Sequence, residues 1–177
     1  MEFNELIKVR RSVRKYNTEK QVTKEQIAEI LKAAQLAPTW ANSQTGRYYC
    51  AVTEEEIKRI GELGLPEFNL NNAKGAALIV TTFVKGIAGF REGTPANELG
   101  DEWGAYDLGL QNAYLVLKAA DMGLDTLIMG IRNSDALREA FSIPENEEIA
   151  AVIAVGYRDQ EPAFRPRKEL DEIAKII

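Results

Sequence analysis

Arg10-Arg11-Ser12-Val13-Arg14 is a basic knot near the start of an otherwise acidic chain, and Arg165-Pro166-Arg167-Lys168 answers it near the far end. Two such clusters suit convergence on one anion. The planar guanidinium fork offers several donors to a phosphate or carboxylate, and Ser12 adds a hydroxyl to the same group. Either cluster alone also reads as a solvated basic face. The net charge of −5 gives no broad attraction to nucleic acid, which requires a wide basic surface, so local clusters point to a small anion instead.

Composition narrows the classes further. A chain of 177 residues suits one domain, residues 1–177, with room for a sizeable core. Hydrophobic residues at 45% and charged residues at 28% describe a soluble globular protein. No apolar run is long enough to span a bilayer, since Ala76 to Val80 is soon interrupted by Thr81 and Thr82. The opening Met1-Glu2-Phe3-Asn4-Glu5 is polar and acidic, unlike a secretory signal, which leads us to expect a cytoplasmic protein. The single cysteine, Cys50, lies in an apolar run and reads as a buried structural thiol. The chain has no histidine, which excludes a Ser-His-Asp or Cys-His nucleophilic site and any His-ligated metal.

Periodicity predicts a short helix over 3–10 and a helix from the capping-box sequence Thr23-Lys24-Glu25-Gln26 to the stop at Pro38. It also predicts a strand over 47–52. Thr53 and Glu56 form a second capping box, whose helix should fade by Gly61 or Gly64. Ala76 to Val84 is apolar and β-branched, as a central strand would be. Lys85 to Asp101 is rich in glycine and polar residues, and reads either as a lid with Phe90 as its apolar tip or as a tolerated surface insertion. From Trp103 to Met122, apolar residues occupy two helical faces: Tyr106, Leu110, Ala113, Tyr114 and Leu117 on one, and Leu108, Leu115 and Val116 on another. That breadth predicts a helix buried on more than one side. A strand over 125–130, a helix over 134–141 and a strand over 149–155 follow. The chain then extends to a terminal helix bearing Leu170, Ile173, Ile176 and Ile177. Periodicity alone stops at a soluble α+β domain.

A third segment carries more. Ala37-Pro38-Thr39-Trp40-Ala41-Asn42-Ser43-Gln44 leads into the strand-like Tyr48-Tyr49-Cys50-Ala51-Val52. With the opening Arg-Arg-Ser-x-Arg motif before it and the closing Arg/Lys motif after it, the chain resembles the FMN-dependent nitroreductase family. The likeness continues through Asp107-Leu108-Gly109-Leu110-Gln111-Asn112, Gly123-Leu124-Asp125-Thr126 and Gly156-Tyr157, and so covers most of the chain.

The resemblance implies a central, mostly antiparallel sheet flanked by helices, assembled as a homodimer with FMN between subunits. No Gly-x-Gly and no P-loop occurs in the chain, so phosphate recognition would fall to side chains. Carried over by position, Arg10, Arg11 and Ser12 would bind the FMN phosphate with Arg167 and Arg165. Arg14 would lie nearer the flavin ring, and Arg158, outside both motifs, would matter little. Pro38, Thr39 and Asn42 would reach the flavin from the partner subunit, with Gln44 helping to place the ring or ribityl chain. Trp40 would pack either in the dimer interface or in the core. Met129 and Gly130 fall on the segment whose backbone amide approaches the flavin. Many relatives follow the glutamine with Pro-Trp, where this chain has Thr45-Gly46. The Leu63 to Asn72 region is shortened, leaving Asn69 and Asn71 as candidate contacts.

The implied reaction is hydride transfer from NADH or NADPH through FMN to an electrophilic acceptor such as a nitroaromatic or quinone, with ping-pong kinetics. A flavin-binding or flavin-storage protein without efficient turnover is the alternative. No catalytic side chain is required, because the cofactor would carry the chemistry.

Overall fold

Two strands account for most of the core. β2 (Ala77–Val84) and β6 (Glu147–Gly156) pair antiparallel from Ala77 opposite Val155 to Val84 opposite Glu147, with an irregularity between Thr81 and Thr82. Both are apolar on both faces over most of their length, because both faces are covered; Thr81 and Thr82 on β2 and Glu147 on β6 are buried polar exceptions. On β2, Leu78 and Val80 enter one cluster and Ala77 and Ile79 the other, as the period-two alternation of a strand requires. On β6, Val152 and Ala154 alternate in the same way with Ile153 and Val155.

The computed structural model describes residues 1–177. β1 (Gly46–Ala51) adds to the free side of β2, and β5 (Asp125–Met129) to the free side of β6. The sheet order is therefore β1-β2-β6-β5, antiparallel throughout. α2 (Lys24–Ala34) and α5 (Glu102–Asp121) cover one face with Ile27, Ile30, Leu115 and Ala119. α3 (Glu54–Gly64), α4 (Glu67–Ala73) and α6 (Ser134–Phe141) cover the other with Ile60, Ala73 and Leu137. α1 (Phe3–Val9) buries none of its residues. No helix is long and apolar enough to cross a membrane.

The local signals mostly act as read. Thr23 Oγ1 accepts the Gln26 N–H at 3.2 Å and Gln26 Oε1 accepts the Thr23 N–H at 3.0 Å, closing the expected capping box at the start of α2. At α3 only half of the second box forms: Thr53 Oγ1 accepts from Glu56 N–H, with no return bond. Gly64 lies within α3, where a Cβ would come 2.3 Å from Leu137, so this glycine lets α3 and α6 approach closely.

Four expectations need correction. Residues 67–73 form α4, a helix that periodicity did not predict, overlapping the shortened Leu63 to Asn72 region. Residues 85–101 contain a small hairpin, β3 (Phe90–Arg91) with β4 (Thr94–Pro95). Its tip is Glu92-Gly93 rather than Phe90, and both tip residues hold positive φ, 51° and 76°, as a type I′ turn demands. The terminal helix is a single short element, α7 (Leu170–Ile173), and Ile176 and Ile177 lie exposed beyond it. Finally, α5 buries Leu108, Leu115 and Val116, but Tyr106 and Tyr114 on its second apolar face are exposed in the chain.

Candidate functional site

The basic arm is extended because both of its neighbours bond to it. The Val13 N–H donates to the Thr126 carbonyl on β5 at 3.0 Å, and the Asn17 N–H to the Tyr157 carbonyl at 2.8 Å. The Asp159 N–H returns to the Lys15 carbonyl at 3.0 Å. Val13 and Tyr16 turn into the core, which leaves Arg10, Arg11, Ser12 and Arg14 to face outward. Gly156 makes this possible, since a Cβ there would meet the Tyr16 ring at 2.7 Å.

The two basic clusters meet. Arg10, Arg11, Ser12 and Arg14 share a cavity of about 380 Å³ with Phe164, Arg165 and Arg167. The Arg11 guanidinium lies 5.1 Å from the Phe164 ring centroid, a cation–π contact that draws the C-terminal segment over the arm. The lining holds no aspartate or glutamate, and none of the five arginines forms an ion pair. Partial burial, with Arg11 and Arg167 nearby, pushes the Arg10 guanidinium below its usual range. Five like charges gathered without a counter-charge form a site for an anion with several acceptor oxygens.

Further along the same edge of the sheet, Met129 is buried and Gly130 exposed at the end of β5. The backbone N–H groups of Gly130, Ile131 and Arg132 donate to nothing within the chain. Their carbonyl side is fixed. Arg132 donates to the Gly130 carbonyl at 2.7 Å and also to the Ile149 carbonyl, and Asn69 Nδ2 donates to the Ile131 carbonyl at 2.9 Å. Asn69 is thus a buried tie between α4 and this turn rather than an open contact, while Asn71 lies apart, on a surface groove beside Lys74. Free donors on a rigid turn suit an acceptor-bearing ligand.

The Pro38 to Gln44 segment is built differently. A 3₁₀ turn, Trp40–Asn42, is followed by Gln44, and Ala41, Asn42 and Gln44 take φ of 43°, 58° and 50°. Two buttresses hold this left-handed run. The Asp107 carboxylate on α5 accepts the Trp40 N–H at 2.8 Å and the Ser43 hydroxyl at 3.5 Å, and Thr39 Oγ1 accepts the Gln44 N–H at 3.2 Å. Burial pushes the Asp107 carboxyl up, against the pull of those two donors. Trp40 packs against Trp103 with ring centroids 4.7 Å apart and planes tilted by 52°, while Pro38, Asn42 and Gln44 remain exposed.

The structure therefore unites Arg10, Arg11, Ser12, Arg14, Arg165 and Arg167 in one pocket and sets Met129 and Gly130 at the end of β5, the edge strand to which the arm bonds through Thr126. It does not bring Pro38, Thr39, Asn42 or Gln44 to them. That segment feeds β1, at the opposite edge of the sheet, so that three strand spacings, roughly 14 Å, lie between. Sequence reading missed Asp107 and Phe164 as site-building residues. The available signals were an acid within the apolar stripe of α5 and an aromatic residue directly before Arg165. A larger open groove of about 620 Å³ between α2 and α3 mixes Lys24 and Arg59 with Glu55 and Glu56 and gathers no single sign of charge. Cys50 on its floor is half-buried, and desolvation pushes its thiol up to about 11, away from thiolate chemistry.

The chain is similar to known proteins in both sequence and fold. The sequence model of the nitroreductase family matches residues 7–157. An Archaeoglobus fulgidus protein named "Putative NADH dehydrogenase/NAD(P)H nitroreductase" is 30% identical over 163 residues, covering 90% of this chain and 87% of its own. A solved nitroreductase family protein from Clostridium difficile superposes with TM-score 0.80 at 28% identity, over 99% of this chain and 98% of its own. A solved "putative nitroreductase in complex with FMN" from Exiguobacterium sibiricum gives TM-score 0.88 at 25% identity, over 100% and 98%.

Proposed function

Because the chain belongs to the nitroreductase family, we propose that it is an FMN-dependent oxidoreductase, taking reducing equivalents from NADH or NADPH and delivering them to an electrophilic acceptor such as a nitroaromatic or quinone. The observation that carries this reading is the acid-free pocket of Arg10, Arg11, Arg14, Arg165 and Arg167, which suits a phosphate dianion. A homologous structure with FMN bound supports the choice of ligand.

In this reading Arg10, Arg11, Ser12, Arg165 and Arg167 bind the FMN phosphate. Arg14, exposed at the pocket's rim, supplies positive charge on the side of the ring. The Gly130–Arg132 amides, free of internal partners, offer hydrogen-bond donors to a ring acceptor beside Met129. Bound FMN would supply the reversible two-electron chemistry that no side chain of a histidine-free chain provides. Pro38, Thr39, Asn42 and Gln44, remote within one chain, contribute from the second copy of a homodimer. The exposed Tyr106 and Tyr114 face of α5 is a suitable surface for that copy.

The test is steady-state oxidation of NADH and NADPH by the purified protein against a panel of nitroaromatic and quinone acceptors. Turnover with parallel double-reciprocal lines is expected. A flavin-loaded protein that oxidises neither nicotinamide would contradict the enzymatic reading and favour flavin storage.

A further inference from the structure

Arg158 lies outside the basic pocket, yet it is the most tightly held arginine of the chain. Its Nε and Nη2 donate to the two carboxylate oxygens of Asp125 at 2.8 and 2.6 Å, and its Nη1 to both oxygens of Glu161 at 3.0 Å. Asp125 is buried, and it opens β5 one residue before Thr126, whose carbonyl anchors the basic arm at Val13. The fork thus joins the arm's anchor strand to the root of the C-terminal segment. Beyond Glu161, whose carboxylate Arg158 itself holds, that segment forms no ion pair with the body. From Gln160 to Lys168 no backbone group bonds to another, and the Arg11–Phe164 contact is its cation–π link to the body.

We propose that Arg158 is a positioning residue: its bidentate grip on Asp125 sets where Phe164, Arg165 and Arg167 lie over Arg10 and Arg11, and so preorganises the phosphate pocket without touching the ligand. The planar fork matters as well as the charge, because a lysine cannot span both oxygens of Asp125 in a fixed plane. The proposal rests on the FMN reading above and revises the minor part that sequence position gave Arg158.

The test is fluorescence titration of flavin-free wild type, Arg158→Gln and Arg158→Lys with FMN and, separately, with riboflavin, which lacks the phosphate. Both variants should lose FMN affinity by about tenfold or more while riboflavin affinity stays within about threefold. An equal loss for both flavins would reduce Arg158 to a general stabilising role and overturn the proposal. Wild-type FMN affinity in Arg158→Lys would overturn it too, by showing that charge alone suffices. Should wild type itself bind neither flavin, the FMN reading fails first, and the positioning role falls with it.

Discussion

The Asp107 carboxylate accepts the Trp40 backbone N–H at 2.8 Å and so ties the second turn of α5 to a turn in which Ala41, Asn42 and Gln44 all hold positive φ. Each such residue costs about 1 kcal/mol relative to a right-handed conformation. A buried acceptor is therefore needed where the turn begins. Asp107→Ala leaves the Trp40 amide without its partner and should cost about 1–3 kcal/mol of stability, read from denaturant midpoints. Asp107→Asn keeps an acceptor oxygen and should cost less. Equal stability of the alanine variant and wild type would remove Asp107 from this role.

The same carboxylate gives a pH signature. Its folded pKa is raised, chiefly by burial, so the folded state holds its proton more tightly than the unfolded state. Stability from this group is present at low pH and declines as pH rises from the ordinary aspartate range through the raised value. Subtracting the Asp107→Asn stability profile from that of wild type isolates the effect. A difference that is flat, or that rises with pH in that window, contradicts the assignment.

Arg10 and Arg167 stand within one cavity and Arg10 is partly desolvated, so either, replaced with alanine, should weaken FMN binding by about 2–5 kcal/mol. Arg59, on the remote α2–α3 groove, is the control and should have little effect. Comparable affinity in all three variants would dissociate the pocket from FMN.

Because Asn42 and the Arg10 pocket sit at opposite edges of the sheet, a shared site predicts complementation. A subunit carrying Arg10→Ala and Arg167→Ala, mixed after dissociation with one carrying Asn42→Ala and Gln44→Ala, should form heterodimers with one intact site. Recovered flavin binding supports sharing. A monomer by sedimentation that holds FMN tightly would refute it.

The hairpin at 90–95 is tied at its base by the Gly86 N–H to Asp101 at 2.6 Å and by Trp103 Nε1 to Asn97 at 2.9 Å, and none of its residues lines the basic pocket. Replacing Phe90–Pro95 with a short glycine turn should change the acceptor profile while FMN affinity stays within about threefold. An unchanged profile would leave the hairpin without a lid's role.

What could be read from the chain follows physical lines. Strands β2 and β6 were legible because burial on both faces forces apolar runs, Ala76 to Val80 and Ile149 to Val155. The basic clusters were legible because residues 10–14 and 165–168 gather arginines with no acid among them in a chain of net charge −5. α4 was hidden because Asn69, Asn71 and Asn72 carry weak helix propensity, and its stability comes from packing and from Asn69's bond to Ile131. Leu170, Ile173, Ile176 and Ile177 repeat with a helical period, yet they meet no core within the chain, and the helix ends after one turn. The tie between Asp107 and Trp40 spans 67 residues and leaves no local pattern.

The most direct test of the account is the identity of the ligand that the purified protein carries or accepts. Denaturation, followed by mass measurement of whatever is released, should yield FMN from a yellow protein. FAD, or no flavin even after incubation with excess FMN, would contradict the claim that Arg10, Arg11, Ser12, Arg165 and Arg167 form its phosphate site.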